Sequence, residues 1–169
     1  MAIEALEKIG KPDVLVGQFE IPMNVNEQVF SYAYKNGVKT VLNPAPANKP
    51  SDILLQNTSW FIPNEIEFEE IYGDIFNENN LLLFAKNVDT NVVVTLGEKG
   101  CAYIENNSVK IIKADSVKAI DTTGAGDAFV GAFSFALASK LDIEECLKLA
   151  LKKATDSVTK KGTQSSYKG

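Results

Sequence analysis

The stretch Asp121-Thr122-Thr123-Gly124-Ala125-Gly126-Asp127-Ala128-Phe129 places small residues and a carboxylate where a helix is expected to begin. From Asp127 to Leu141 apolar residues run almost without a break (Ala128, Phe129, Val130, Ala132, Phe133, Phe135, Ala136, Leu137, Ala138), which predicts a buried helix rather than a surface one. A helix N-terminus carries about half a positive charge and up to four N–H groups without intrahelical partners, and glycines let an anion approach them closely. Gly124, Ala125 and Gly126 would supply those amides to a phosphate. Asp127, directly after them, is suited to accept a proton from a hydroxyl attacking that phosphate. The same residues also read as an Asp-capped helix after a glycine-rich turn, and a short glycine motif does not separate the two.

Outward from this stretch, strand and helix patterns alternate. Strands are predicted at Val14-Val16, Thr40-Asn43, Ser59-Ile62 and Val92-Thr95, and helices at Ala2-Ile9, Glu27-Asn36 and Glu65-Ile71. Such alternation implies a mostly parallel sheet with helices on its faces, an α/β fold. Cys101-Ile104 and Val109-Ile112 read as a β-hairpin across Asn106-Asn107. Two helices close the chain, Gly124 to Ser139 and Ile143 to about Thr159, the second opened by Asp142 with Glu145 three residues on. No internal repeat or low-complexity linker interrupts the pattern, so the 169 residues are expected to form a single domain.

Composition narrows the function classes. With no histidine, His-based acid–base catalysis and His metal sites are excluded within this polypeptide, leaving carboxylates, Lys, Tyr or Cys to move protons. Cys101 and Cys146 are far apart and lack metal-ligand spacing, so both are expected as buried thiols. A net charge of −5 argues against a nucleic-acid surface, and Lys152-Lys153 reads as a solvated helix face. No apolar run approaches the roughly 18 residues of a membrane span, and no charged-then-apolar leader opens the chain. A cytoplasmic protein acting on a small molecule is expected, without nucleic-acid or membrane partners.

In open parallel sheets ligands lie beyond the carboxyl ends of the strands, so residues just after strands carry the most interest. Asn64, with Glu67 three positions on, could reach one Mg²⁺ through water, or Asn64 could cap the following helix; the two roles are compatible. Thr95 and Gly97 could line a nucleotide's phosphates or ribose, or could form an ordinary strand-to-turn junction.

DTTGAGDAF is similar to the signature of the ribokinase-like (PfkB) sugar kinases, and further segments fit that family in order. Asn43-Pro44-Ala45-Pro46-Ala47 resembles its NPAPA run, Asn64-Glu65-Ile66-Glu67 its NxxE motif near metal and phosphates, and Thr95-Leu96-Gly97-Glu98-Lys99-Gly100 its nucleotide-binding TLGxxG loop. Val158 to Ser166 resembles the family segment that holds a monovalent cation. Together these cover almost the whole chain. The resemblance implies a ribokinase-like three-layer α/β/α fold with a C-terminal β-hairpin. It also implies that the chain is a C-terminal portion, truncated at the N-terminal side and lacking the half that carries the lid and most sugar contacts.

Site roles follow from the same resemblance. Asp127 is the implied base and hydroxyl-binding carboxylate, with Gly124, Ala125 and Gly126 forming the anion cradle. Asn64 and Glu67 stand near Mg²⁺, and Thr95, Gly97, Glu98, Lys99, Gly100 and Gly126 near ATP. Glu20, after the first strand, sits like the family glutamate that hydrogen-bonds the sugar, though a solvated loop carboxylate reads equally well. A K⁺ site would use Asp121, Thr123, Ser157, Lys160, Gly162 and Ser166. Departures from the family pattern occur at Leu151, Lys152, Lys153 and Asp156, which puts adenine contact there in doubt, and in the tail Ser165-Ser166-Tyr167.

The resemblance implies ATP-dependent phosphorylation of a sugar hydroxyl, O5 of ribose first. The alternatives are a related PfkB kinase for another sugar or nucleoside, and a catalytically incomplete nucleotide-binding or protein-binding module. A parallel sheet cut at one side exposes an unpaired strand edge, so a homo-oligomer through that edge is expected.

Overall fold

The computed structural model describes residues 2–163, so the expectations for Ser165, Ser166 and Tyr167 lie outside the described residues. The chain has α/β architecture, with a six-stranded sheet ordered β1-β2-β3-β4-β5-β6. It divides into two compact units, residues 2–94 with 103–110, and residues 95–102 with 111–163.

The first unit opens with α1 (Ala2–Ile9), β1 (Val14–Gly17), α2 (Met23–Lys35) and β2 (Lys39–Leu42). It continues through α3 (Asp52–Gln56), β3 (Trp60–Phe61), α4 (Glu65–Tyr72), α5 (Glu78–Val88) and β4 (Asn91–Thr95). Strands β1 to β4 pair in parallel, in register Val16 to Val41, Val41 to Trp60 and Phe61 to Val92. Val41, Leu42, Phe61, Ile62 and Val92 to Val94 are all buried, the continuous apolar reading of strands covered on both faces. Helix α2 packs on β1 and β2. The rings of Phe61 and Phe68 both meet Phe84, at 5.7 and 5.5 Å, which binds α4, α5 and β3 into one apolar cluster.

The predicted elements stand within a residue or two of their expected positions, except α2, and two further helices appear. Helix α2 begins at Met23, four residues before the expected Glu27, because Pro22 takes the N-cap and its carbonyl accepts the Val25 N–H at 2.9 Å. Helices α3 and α5 were not expected. The first is one short turn capped by the Ser51 hydroxyl, and the second opens on the polar run Asn77-Glu78-Asn79-Asn80, whose first side chain accepts the Asn80 N–H at 2.9 Å.

Strands β5 (Cys101–Glu105) and β6 (Ser108–Ile112) form the expected hairpin, with Asn106 and Asn107 both at positive φ.

In the second unit, α6 (Ala125–Ala138) packs along α7 (Ile143–Val158). Phe129 and Phe133 of α6 are buried, as are Cys146, Leu147 and Ala150 of α7. Asp142 caps α7 by accepting the Glu145 N–H at 2.9 Å, as its spacing predicts. The expectation of a buried α6 is corrected. Asp127, Gly131 and Phe135 lie four apart on one exposed ridge, and Phe135 is 68% exposed.

Candidate active site

Helix α6 starts from Gly124, which sits in the left-handed region at φ 78°. That backbone position turns Asp121-Thr122-Thr123 into the helix axis and suits a residue without Cβ. The Ala125 N–H donates to the Thr122 carbonyl at 3.3 Å, so one amide expected in the anion cradle is engaged within the turn. A Cβ at Gly126 would meet nothing within 4 Å, so that face of the first helical turn is unobstructed. Asp127, in the first helical turn, is exposed beside that face.

Asp127 also stands at the rim of a cleft of about 500 Å³ between α6 and α7. One wall is apolar, with Ala128, Ala132 and Phe135; the other carries Lys153, Asp156 and Lys160. Leu151 does not line it and is buried on α7.

The two segments expected to hold a monovalent cation converge. Asp121 Oδ1 accepts the Thr123 N–H at 3.0 Å, and its Oδ2 accepts the Gly162 N–H at 3.1 Å. The Thr123 backbone and hydroxyl, then the Gly162 N–H, hold the Asp121 carboxyl below its usual range. The Ile120 and Asp121 amides both donate to the Val158 carbonyl, at 2.7 and 3.2 Å. Ser157 is turned inward: its hydroxyl donates to the Ala154 carbonyl at 2.7 Å, and its own carbonyl accepts the Lys160 N–H at 3.3 Å. Ser166 lies outside the described residues.

The nucleotide-loop candidates form a tight turn. Thr95 ends β4, Gly97 to Lys99 make one 3-10 turn, and the Leu96 N–H closes it on the Gly100 carbonyl at 2.8 Å. Gly97, Glu98 and Lys99 are exposed. Gly100 admits no side chain, since its φ is 108° and a Cβ would sit 1.9 Å from the Ile112 carbonyl oxygen.

In the first unit, Asn64 and Glu67 make a reciprocal capping box on α4, with both bonds at 2.8 Å. Asn64 is exposed and Glu67 is buried at 8% exposure. Burial pushes the Glu67 carboxyl above its usual range, against the lowering effect of the Asn64 N–H, and the nearby Glu70 adds to the rise. The capping role is present, and the expected ligand role would fall on the same pair. A single carboxylate with an amide suits Mg²⁺ held mainly through phosphates and water, and no cluster of three or more acidic or Cys side chains exists among the described residues. Glu20 is exposed in the turn after β1, in that same unit.

Sequence reasoning missed the side-chain links that fasten these strand ends. The Gln18 amide donates to Asn43 Oδ1 at 2.8 Å, and Asn43 Nδ2 donates to the Ile62 carbonyl at 2.9 Å. The only sequence signal was Asn43 itself, a polar residue ending an apolar strand.

Among the described residues no helix is long and apolar enough to cross a membrane. The family model described as pfkB family carbohydrate kinase matches residues 6–168. The chain is 41% identical over 165 residues to a ribokinase of Haemophilus influenzae, covering 94% of this chain and 54% of that protein. It is 36% identical over 169 residues to a deoxyribokinase of Salmonella typhi, covering 96% of this chain and 55% of that protein. An Arabidopsis thaliana ribokinase structure, complexed with ribose and ATP, superposes with a TM-score of 0.84 at 28% identity, covering 91% of this chain and 52% of that one. The chain thus spans about half the length of the relatives it matches.

Proposed function

The chain belongs to the pfkB family of carbohydrate kinases, and from that premise we propose that it transfers the γ-phosphoryl group of ATP to a sugar hydroxyl, O5 of ribose first. The observation that carries this reading is the Gly124 start of α6, which sets an open Gly126 face and the exposed Asp127 carboxylate side by side in one helical turn. Asp127 takes the proton from the attacking hydroxyl. The first-turn amides and the positive end of α6 stabilise the charge that develops on the phosphoryl oxygens. Asn64 and Glu67 would hold Mg²⁺, which when bound neutralises phosphate charge. The exposed 3-10 turn from Gly97 to Lys99 receives the nucleotide, and Glu20 the sugar. Asp121, Thr123, Ser157, Lys160, Gly162 and Ser166 would surround K⁺ and brace the cradle from outside.

Ribose is favoured by likeness to ribokinases, and the deoxyribokinase likeness keeps 2-deoxyribose as the next candidate. A second reading, a nucleotide- or partner-binding module without turnover, is favoured by a span of about half the relatives' length. The deciding experiment is coupled ADP release with ATP, Mg²⁺, K⁺ and a panel of pentoses and hexoses. Sugar-dependent turnover that falls about 100-fold or more in Asp127→Ala, with ATP binding retained, supports the kinase reading. No sugar-dependent turnover, with ATP still bound, supports the second.

A further inference from the structure

We propose that Asn43 is a positioning residue that sets the acceptor loop of the first unit against its phosphate-side loop; this rests on the kinase reading above. Asn43 follows β2, is buried at 8% exposure, and is distinct from the candidate loops' working residues, Glu20 and Asn64. Its side-chain amide nevertheless joins both. Oδ1 accepts from the Gln18 amide at 2.8 Å, two residues before Glu20, and Nδ2 donates to the Ile62 carbonyl at 2.9 Å, two residues before Asn64.

The surrounding bonds make this link stiff. The Asn43 N–H donates to the Gly17 carbonyl at 3.0 Å, and the Ile62 N–H to the Leu42 carbonyl at 2.8 Å, so the strand ladder runs up to the link from both sides. Beyond it, the Gln18 carbonyl accepts from the fully buried Asn26 amide at 2.8 Å, and the Phe19 N–H donates to the Ala45 carbonyl at 2.8 Å. Gly17 lets Asn26 and Phe30 this close, because a Cβ there would lie 2.9 Å from Asn26 Oδ1 and 2.6 Å from the Phe30 ring. The chain Asn26–Gln18–Asn43–Ile62 therefore crosses the carboxyl ends of three adjacent strands, and Glu20 and Asn64 hang from its two ends.

A primary amide does this from one short side chain, offering an acceptor and a donor in a single plane. A carboxylate at position 43 would face the Ile62 carbonyl with no proton to give. Loops held less firmly than about 1 Å lose much of the rate that positioning supplies.

The test compares Gln18→Met, Asn43→Asp and the double variant in this chain, reading sugar KM, kcat, Mg·ATP affinity and thermal midpoint, with amide hydrogen exchange at Asn64. Gln18→Met is expected to lower kcat/KM for the sugar about 10-fold while Mg·ATP affinity and the midpoint stay near the parent. The double variant is expected to match Asn43→Asp alone. The Asn64 amide is expected to exchange about 10-fold faster in Gln18→Met, although Gln18 lies on another strand end. Sugar kinetics within twofold of the parent, or additive single effects, would overturn the proposal. A parent chain without turnover removes the kinase reading instead. Exchange at Asn64 then decides whether Asn43 couples the loops, and an unchanged rate in Gln18→Met overturns that too.

Discussion

Asn64 and Glu67 satisfy each other reciprocally, the Asn64 N–H donating to Glu67 Oε2 and the Glu67 N–H to Asn64 Oδ1, both at 2.8 Å. The pair can therefore be separated into a cap and a charge. Glu67→Gln keeps an acceptor for the Asn64 N–H and removes a buried carboxylate. Because burial raises the Glu67 pKa above the usual 4.5, the cost of holding it ionised is absent below 4.5, grows as pH rises from there toward the raised value, and is complete above it. Glu67→Gln should melt at or above the parent temperature at neutral pH, with the gap closing in acid, while Mg·ATP affinity drops about 10-fold. Asn64→Ala should instead lose about 1 kcal/mol of stability. Calorimetric titration beside thermal melts reads both, and a Glu67→Gln chain that binds Mg·ATP like the parent contradicts the metal role.

Two glycines of the proposed cradle should respond in opposite ways. Gly124 holds φ at 78°, where a Cβ costs about 1–2 kcal/mol, so Gly124→Ala should lower the melting temperature. Gly126 lies inside α6 with open space around its Cβ position, so Gly126→Ala should hold or raise stability, by up to about 1 kcal/mol. Transfer in Gly126→Ala should nonetheless fall about 100-fold, because the methyl stands over the amide face. Full activity in a stabilised Gly126→Ala chain would remove the cradle from the mechanism.

The parts of the molecule that were legible in the sequence are those that short-range chemistry decides. Asp142 with Glu145 announced the start of α7, Asn106-Asn107 the hairpin turn, and the Val92 to Val94 run a buried parallel strand. Helix α3 is too short to show a period, and the polar run opening α5 carries no apolar pattern. The exposure of Phe135 was not legible, since a helix apolar on every side has no pattern that tells the covered face from the open one. The candidate residues were named from local motifs. What joins them, such as Asp121 with Gly162 or Gln18 with Asn43 and Ile62, depends on pairings across 19 to 41 residues, which composition and spacing do not encode.

Burial pushes the Cys101 thiol up to about 12, partly offset by a backbone bond with Ile112. Cys101 and Cys146 are both buried, so neither should react with a thiol reagent in the native chain at mildly alkaline pH, while both react in denaturant. The unfolded thiol ionises near 9.0 and the folded one does not, so the Cys101 contribution is intact below that pH and is lost as pH rises toward 12. Cys101→Ala should remove this part of the alkaline loss of stability, though the lost sulfur contacts lower the midpoint at every pH. Rapid labelling of the native parent that is lost in Cys101→Ala would show that the structure around Cys101 opens.

Strand β1 ends the sheet, pairing only with β2 in the strand order, and Val16 on it is 46% exposed. Helix α1, which packs against α2, buries none of its residues, and Ile9 is 76% exposed. An edge strand with free backbone groups and a half-exposed Val16 is a template for another strand, and nothing on β1 itself is charged or proline to blunt it. The isolated chain should therefore associate as its concentration rises, with β1 meeting a second copy. Val16→Lys places a charge on that edge and should shift the population toward monomer, with little change in melting temperature because the side chain is half in solvent. Light scattering across a dilution series measures this. A parent chain that stays monomeric at high concentration, or a Val16→Lys chain that associates equally, would mean that the β1 edge is not the contact.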